Sequence, residues 1–509
     1  MAWRALQLSR WPGALAVIAA LALVLVALGA VILRAEPGRG LGPADWAAIR
    51  FTVVQAALSA LISAGLAVPL ARALARRDFP GRRWLITLLG APFLLPVIVA
   101  VMGLLAIFGR NGWVNTALAA TGLEPVSIYG IQGVVLAHVF FNVPLATRLL
   151  LQGWQDIPAE EFRLAAQLRF TKRDLFRHLE LPMLSRVLPG AAGLVFVICL
   201  TSFAVALILG GGPRATTIEL AIYQAFRFEF DLGRAALLSL VQIVVALGAC
   251  LALFRLLPLH DPGQGLDRVV ARWDRSAWDM PVILLGAAFL LLPMLAVLGQ
   301  GASGLFSMPD AVWWATLRSL IVALSSAALL MLLALPIATL SLRHNAVEAI
   351  GFLGLATSPL MIGTGLFIVI FPIADPQAMA LLVTVIVNAV MALPFALRIL
   401  VPGLRQAVDA HGRLAASLGL RGARLWRIVL LPRLRRPLGF ALGLGAALSM
   451  GDLGVIALFA DPARGTLPLQ IEQLLAAYRV EAAASASLLL TLCSFSLFWV
   501  FDHWGRRGA

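Results

Sequence analysis

Apolar residues fill long stretches of this sequence, and polar residues gather in short segments between them. Twelve runs approach the roughly twenty residues that a helix needs to cross a bilayer. They are 14–33, 51–74, 84–108, 130–152, 187–209, 233–255, 281–300, 318–342, 348–372, 378–401, 435–459 and 479–501. Several contain proline, at Pro92, Pro96 and Pro144 among others, which membrane helices tolerate where neighbours satisfy the freed backbone groups. The pattern predicts an all-α polytopic membrane protein of about 12 transmembrane helices. The first run follows Arg4 and Arg10 as an export signal would. It lacks a clear small-residue cleavage site and is long enough to span, so it is read as a retained helix.

The polar segments carry a repeat. Glu161 to Pro182 reads EFRLAAQLRFTKRDLFRHLELP, and Arg413 to Pro432 reads RLAASLGLRGARLWRIVLLP. Aligned without a gap from Pro144/Pro394 to Pro182/Pro432, the two copies agree at fourteen of thirty-nine positions, including Arg148, Gly153, Arg163, Arg177 and Pro182. Shared apolarity does not put Pro, Arg and Gly in register over that length, so the chain is an internal duplication. In each half the repeated loop follows the fourth run, which makes the repeats parallel. Leu164, Leu168, Leu175 and Leu179 form an apolar stripe at helical spacing, repeated by Leu414, Leu418, Leu425 and Val429. Arginines flank the stripe, as in an amphipathic helix that lies in headgroups or seats in a partner's groove. The small pairs Ala165–Ala166 and Ala415–Ala416 allow close approach, which favours the groove.

Composition narrows the chemistry. The chain has 509 residues, 61% hydrophobic and 13% charged, with a formal net charge of +15. The arginines are spread along short loops, so the charge reports membrane orientation and not nucleic-acid binding. The single lysine, Lys172, is followed by Arg173. A phosphate-binding loop needs Gly-Lys-Ser/Thr, so the chain binds no ATP by that route, and no cofactor of its own is expected. Cys199, Cys250 and Cys493 fall in apolar runs without metal spacing, as packing residues do. The six histidines show no metal-spaced cluster, and no Ser/His/Asp arrangement marks a catalytic site.

Loop charge sets the expected orientation. Arg76, Arg77, Arg82 and Arg83, the repeated loops, Arg268, Arg272, Arg275, Arg343, Arg506 and Arg507 fall on one side. The alternate loops are poorer in arginine and carry Glu36, Asp45, Glu124, Glu219, Glu229, Asp231, Asp310, Asp375 and Asp461. Both termini and both repeated loops are therefore expected in the cytoplasm. The expected layout is a first helix with its outer loop over 1–50, then a first repeat over 51–256 with its loop at 153–183. A polar cytoplasmic linker over 257–280, a second repeat over 281–501 with its loop at 402–433, and a tail over 502–509 complete it.

The repeated loop resembles the Glu-Ala-Ala loop of ATP-binding-cassette (ABC) importer permeases, which closes in Leu-Pro thirteen residues after a glycine. Gly419 stands at that glycine position in the second copy, and Arg169 replaces it in the first. Arg163 and Arg413 replace the acid of the pattern. The resemblance implies a type I ABC importer permease fold, with each loop forming a coupling helix seated in a cytoplasmic ATPase homodimer. The contacts would come from Arg163, Ala165, Ala166, Leu168, Arg169 and Phe170, and from Arg413, Ala415, Ala416, Leu418, Gly419 and Leu420. ATP and Mg would be held by that ATPase. A periplasmic solute-binding protein would meet loops around Gly210–Arg214 and Arg464. The segments FGRNGWVN (108–115), HVFFNVPLATRLLLQ (138–152) and GGGPRATTIELAIYQ (210–224) are similar to the fused thiamine permeases of Gram-negative inner membranes. Fused ferric-iron permeases share the architecture, and a twelve-helix secondary transporter shares the helix count without the matched loops.

Ionisable and polar groups within the runs are the candidates for the path of a small-molecule substrate. Asp452 follows Gly451 inside the eleventh run, and Ser202 is its equivalent in the first half. A carboxylate there suits the fixed positive charge of thiamine, or pins a helix break. His138 and Asn142 lie one turn apart on the fourth run, placed for helix–helix hydrogen bonds. Phe140, Phe141 and Trp113 could stack an aromatic ligand.

Overall fold

The computed structural model describes residues 10–36, 38, 40–90, 94–212, 215–256, 274–305, 307–344, 347, 357–461 and 464–507. Among them it contains only helices and the turns between them. In the first half these are α1 (Trp11–Arg34), α2 (Pro43–Arg76), α3 (Arg82–Leu88), α4 (Val97–Phe108), α5 (Trp113–Ala120), α6 (Ile131–Asp156), α7 (Ala159–Gln167), α8 (Lys172–Leu175), α9 (Leu181–Leu200), α10 (Ala204–Leu209), α11 (Ile218–Arg227) and α12 (Leu232–Leu256). The second half contains α13 (Asp279–Ala302), α14 (Asp310–Ser341), α15 (Pro359–Ile370), α16 (Pro376–Ser417), α17 (Gly422–Leu425), α18 (Leu431–Met450), α19 (Gly454–Phe459), α20 (Leu467–Ala476) and α21 (Val480–Arg506). Among the described residues, eleven helical stretches are long and apolar enough to cross a membrane, and α15 is a shorter apolar helix. The expected run at 348–372 reaches α15, its residues 348–356 lying outside the described set, as do 257–273 of the expected linker, Arg268, Arg272, Pro92, Pro213 and Arg214.

Three runs expected as single spans are divided. Residues 84–108 become α3 and α4, with α4 starting after Pro96. Residues 187–209 break at 201–203 between α9 and α10, and residues 435–459 break at 451–453 between α18 and α19. The breaks read Thr-Ser-Phe and Gly-Asp-Leu; Ser, Asp and Gly disfavour helix interiors because their side chains compete for the backbone or leave it unrestrained. Two further helices, α11 and α20, fill stretches that the hydropathy pattern assigns to outer loops.

The duplication is visible in the elements. α8 and α17, α9 and α18, and α10 and α19 have matching lengths and start 250 residues apart. Each loop also passes through a π-turn, Phe176–Glu180 in one copy and Trp426–Leu430 in the other. In the first half α2, α6 and α9 pack together; in the second, α14, α16 and α18 do, with α21 against α18. The first helices change places. α1 packs on α14 and α15 of the second half, whereas α13 packs on α2 and α4 of the first. Leu25, Leu33, Leu61, Leu285 and Leu332 are exposed on the outside of the bundle, the apolar belt that a bilayer covers.

Candidate functional site

Two places combine duplication with unusual local chemistry: the repeated loops at one end of the bundle, and the two helix breaks inside it.

Both loops end a helix in the same way. In the first copy the Phe170 N–H donates to the Ala165 carbonyl (2.9 Å) and the Arg169 N–H to the Ala166 carbonyl (3.1 Å). In the second, Leu420 donates to Ala415 (2.9 Å) and Gly419 to Ala416 (3.1 Å). This is the Schellman arrangement, which requires the residue after the cap to be left-handed. Gly419 has φ 63° and Arg169 has φ 56°, so the arginine adopts the conformation glycine normally supplies.

The stripe expected along each loop is split by the turn. Leu164 and Leu168 are 55% and 59% exposed, and Leu414 and Leu418 are 61% and 65% exposed. Leu175 and Leu425 are fully buried in the chain's own core, because the left-handed turn redirects the backbone between them. The alanine pairs divide too. Ala165 and Ala415 are buried within the chain, Ala166 is exposed and Ala416 half-buried. Only the second member of each pair is therefore available to another molecule. Arg163 and Arg413 are exposed, Arg163 lying 3.6 Å from Glu160.

The first loop is tied down by charge. Glu180, at the end of its π-turn, is fully buried and meets Arg72 Nη2 at 2.6 Å and Trp154 Nε1 at 3.2 Å. Arg76 continues the network to Asp274 (3.2 Å) and Asp279 (3.5 Å), just before and at the start of α13. Leu430 stands in the place of Glu180 in the second loop and is simply packed.

At the first break, the Gln55 and Gln242 side chains donate to the freed carbonyls of Cys199 (2.9 Å) and Leu200 (3.0 Å). His138 Nε2 lies 2.8 Å from Ser202 Oγ, and its Nδ1 lies 3.4 Å from Ser59 Oγ. Asn142 donates to the His138 carbonyl (2.8 Å) and to Cys199 Sγ (3.3 Å). The second half substitutes Asn388 for His138, Ser449 for Cys199 and Asp452 for Ser202. Asn388 donates to Ser449 Oγ (3.0 Å), which donates to Ser326 Oγ (3.0 Å). Asp452 Oδ1 accepts from the Gly454 N–H at 3.3 Å, so the carboxylate caps α19. Its Oδ2 is buried, and the Val455 N–H and the Asn388 amide also face the carboxylate. Ser202 and Asp452 are each half-buried. Phe140, by contrast, is fully buried against Phe141 and Phe289 and has no face free for a ligand.

α11 and α20 hang from equivalent hydroxyls. The Ile218 N–H donates to Thr52 Oγ1 (2.8 Å) and the Leu467 N–H to Ser319 Oγ (2.7 Å). Glu219, expected in an outer loop, is fully buried in the first turn of α11. Its flanks, Thr-Thr before it and a helical apolar run after it, were the available sign.

Residues 63–264 match the family model of the binding-protein-dependent transport system inner membrane component. The chain is 41% identical over 477 residues to the thiamine transport system permease protein ThiP of Escherichia coli (strain K12), covering 90% of this chain and 88% of that protein. It is 40% identical to the protein of the same name from Brucella abortus (strain 2308), covering 90% and 87%. The corresponding Haemophilus influenzae protein is 35% identical, covering 89% and 88%.

Proposed function

This chain belongs to the family of thiamine transport system permeases, and on that footing we propose that it carries thiamine inward across the bacterial inner membrane, driven by a separate ATPase. It is a multi-pass inner-membrane permease subunit of an ABC importer. The observation that carries the reading is relatedness over nine-tenths of the chain, joined to two copies of one capped loop that present paired leucines outward.

In this reading both loops face the cytoplasm, as their arginines require. Leu164 with Leu168, and Leu414 with Leu418, insert into a groove on each ATPase subunit. Ala166 and Ala416 permit the approach, and Arg163 and Arg413 border it. A periplasmic solute-binding protein delivers substrate at the opposite end, near Gly210–Gly212 and Arg464. Closure of the ATPase dimer on ATP moves the two loops, and the halves alternate between inward- and outward-open cavities. Asp452, Ser202 and Asn142 lie along the path at the helix breaks.

The test is reconstitution of the permease in liposomes with its ATPase and solute receptor. ATP-dependent uptake of thiamine and thiamine-stimulated ATP hydrolysis are expected. Hydrolysis and uptake stimulated by another solute, with none for thiamine, would overturn the substrate. Orientation is checked separately: cysteines replacing Arg173 and Arg424 should react with impermeant reagents only from the cytoplasmic side.

A further inference from the structure

We propose that the second half holds an anionic phospholipid of the inner leaflet in an open groove between α16, α18 and α21, with its phosphate on Arg433 and Arg436. The inference goes beyond the transport reading and shares with it only the placing of the repeated loops at the cytoplasmic face.

The groove has a volume of about 1250 Å³, more than the roughly 300–1,000 Å³ of a small-molecule site. It is basic at one end and apolar at the other. On α18, Arg433, Arg436, Pro437 and Phe440 all line it, because their helical spacing puts them on one face. The two arginines lie in the first two turns of α18, beside the repeated loop. Phe440 lies about 10 Å farther from the loop, at the helical rise per residue. On α16, Ile399 lines the deep end, and Gly403, Ala407 and Ala410 are too short to fill the space toward the loop. A Cβ placed at Gly403 would lie 3.0 Å from Pro437 Cγ, so α16 and α18 meet at the floor. α21 forms the third side with Asp502 and Arg506, which pair with each other at 2.7 Å. The charge of Arg506 is thus answered within the chain. Arg433 and Arg436 are exposed and make no ion pair or hydrogen bond among the described residues.

Membrane orientation alone puts arginine at the inner face, but it gives no reason for two halves of a duplication to differ. Here they do. Arg433 corresponds to Met183, and Gln406, Ala410 and His411 of the groove correspond to Asp156, Glu160 and Glu161. The first half thus has three acids where the second has none, and those acids would repel a phosphate. Two loops that share one task need the same charges, so the basic groove answers a ligand that only the second half takes. Guanidinium groups match phosphate oxygens in geometry as well as charge, and basic pockets between helices at the cytoplasmic face suit anionic headgroups. The apolar end, at Phe440, Pro437 and Ile399, then covers the start of an acyl chain. A soluble phosphate would use the arginines and leave that end wet.

The test exchanges the permease–ATPase complex into an equimolar mixture of phosphatidylglycerol and phosphatidylcholine, purifies it in detergent and counts retained lipid by native mass spectrometry. The wild type should retain phosphatidylglycerol at least fivefold over phosphatidylcholine. Arg433→Gln with Arg436→Gln should lose that preference, and Arg433→Lys with Arg436→Lys should keep at least half of it. Arg186→Gln, the change at the first-half counterpart of Arg436, should leave it intact. Inorganic phosphate should not displace the lipid beyond what chloride does at the same ionic strength, since the apolar contacts remain. Equal retention of both lipids by the wild type, or an equal loss with Arg186→Gln, would overturn the proposal. Displacement by inorganic phosphate would give the groove to a soluble phosphate instead, and release of the ATPase by the glutamine pair would give it to the ATPase; either result overturns the lipid. Retention is read without transport, so a failure of thiamine uptake would bring down the substrate reading alone. Reaction of Arg424→Cys with an impermeant reagent from outside would overturn the leaflet together with the orientation.

Discussion

Arg169 and Gly419 occupy one position of a duplicated motif and take the same left-handed conformation, at φ 56° and 63°. For a residue with a Cβ this region costs roughly 1–2 kcal/mol. Arg169→Gly should therefore stabilise the permease, by about 0.5–1 kcal/mol once the greater freedom of glycine in the unfolded chain is subtracted. Gly419→Ala should destabilise by about 1 kcal/mol. No atom lies within 4 Å of a Cβ placed at Gly419, so its cost is conformational alone. Thermal unfolding of the detergent-solubilised permease checks both signs. Asp452 has two oxygens, Oδ1 capping α19 and Oδ2 buried near the Asn388 amide. Asp452→Ala should cost about 0.5–2 kcal/mol through the lost cap and lower the folded yield. Asp452→Asn should keep the cap, because its amide oxygen can accept the same N–H. Thiamine uptake per folded molecule then isolates the charge. A fall with Asn assigns the carboxylate charge to the substrate, and normal uptake with Asn leaves Asp452 as a helix cap only.

At the scale of elements, the capped loops separate two kinds of contact that one apolar stripe had merged. Replacing Leu164 and Leu168, or Leu414 and Leu418, with serine removes exposed apolar surface and should release the ATPase while the permease folds with normal yield. Enlarging Ala165 or Ala415 to leucine should instead damage the permease itself, since these alanines are buried in its own core and overpacking costs typically ~1–3 kcal/mol. Copurification of the ATPase, set against permease yield, distinguishes the two outcomes. The loops were legible in the sequence because the repeat keeps Pro, Arg and Gly in register. Their split faces were not, because an arginine at the left-handed position hides the turn that redirects the first stripe. The helix breaks were hidden for a related reason. A hydropathy run measures apolar content and passes smoothly over Thr-Ser-Phe or Gly-Asp-Leu, although those residues free the backbone. α11 was missed because Glu219 reads as a loop acid when nothing in the sequence shows the half that covers it.

Across the whole molecule the halves are laced together by their first helices, α1 lying on α15 and α13 on α4. The two crossings are carved at equivalent positions, Gly103 being the seventh residue of α4 and Gly365 the seventh of α15. A Cβ at Gly103 would lie 2.4 Å from the Pro293 carbonyl oxygen of α13, and one at Gly365 would lie 2.3 Å from the Ala27 carbonyl oxygen of α1. Both obstacles are backbone, which a rotamer change cannot relieve. Gly65 of α2 has no atom within 4 Å of such a Cβ. The expected result is a reversal of sign. Gly65→Ala should stabilise, since alanine is favoured over glycine inside a helix by roughly 0.5–1 kcal/mol. Gly103→Ala and Gly365→Ala gain the same propensity but force the crossings apart, and a net loss of about 1–3 kcal/mol is expected for each. Thermal unfolding of the three variants measures this directly. If the exchange of first helices holds the halves in one mutual register, the double variant should also lose uptake per folded molecule more than either single change, because both crossings brace the same interface. Stabilisation by alanine at all three positions would mean that α1 and α13 do not cross their partners as closely as these backbones do.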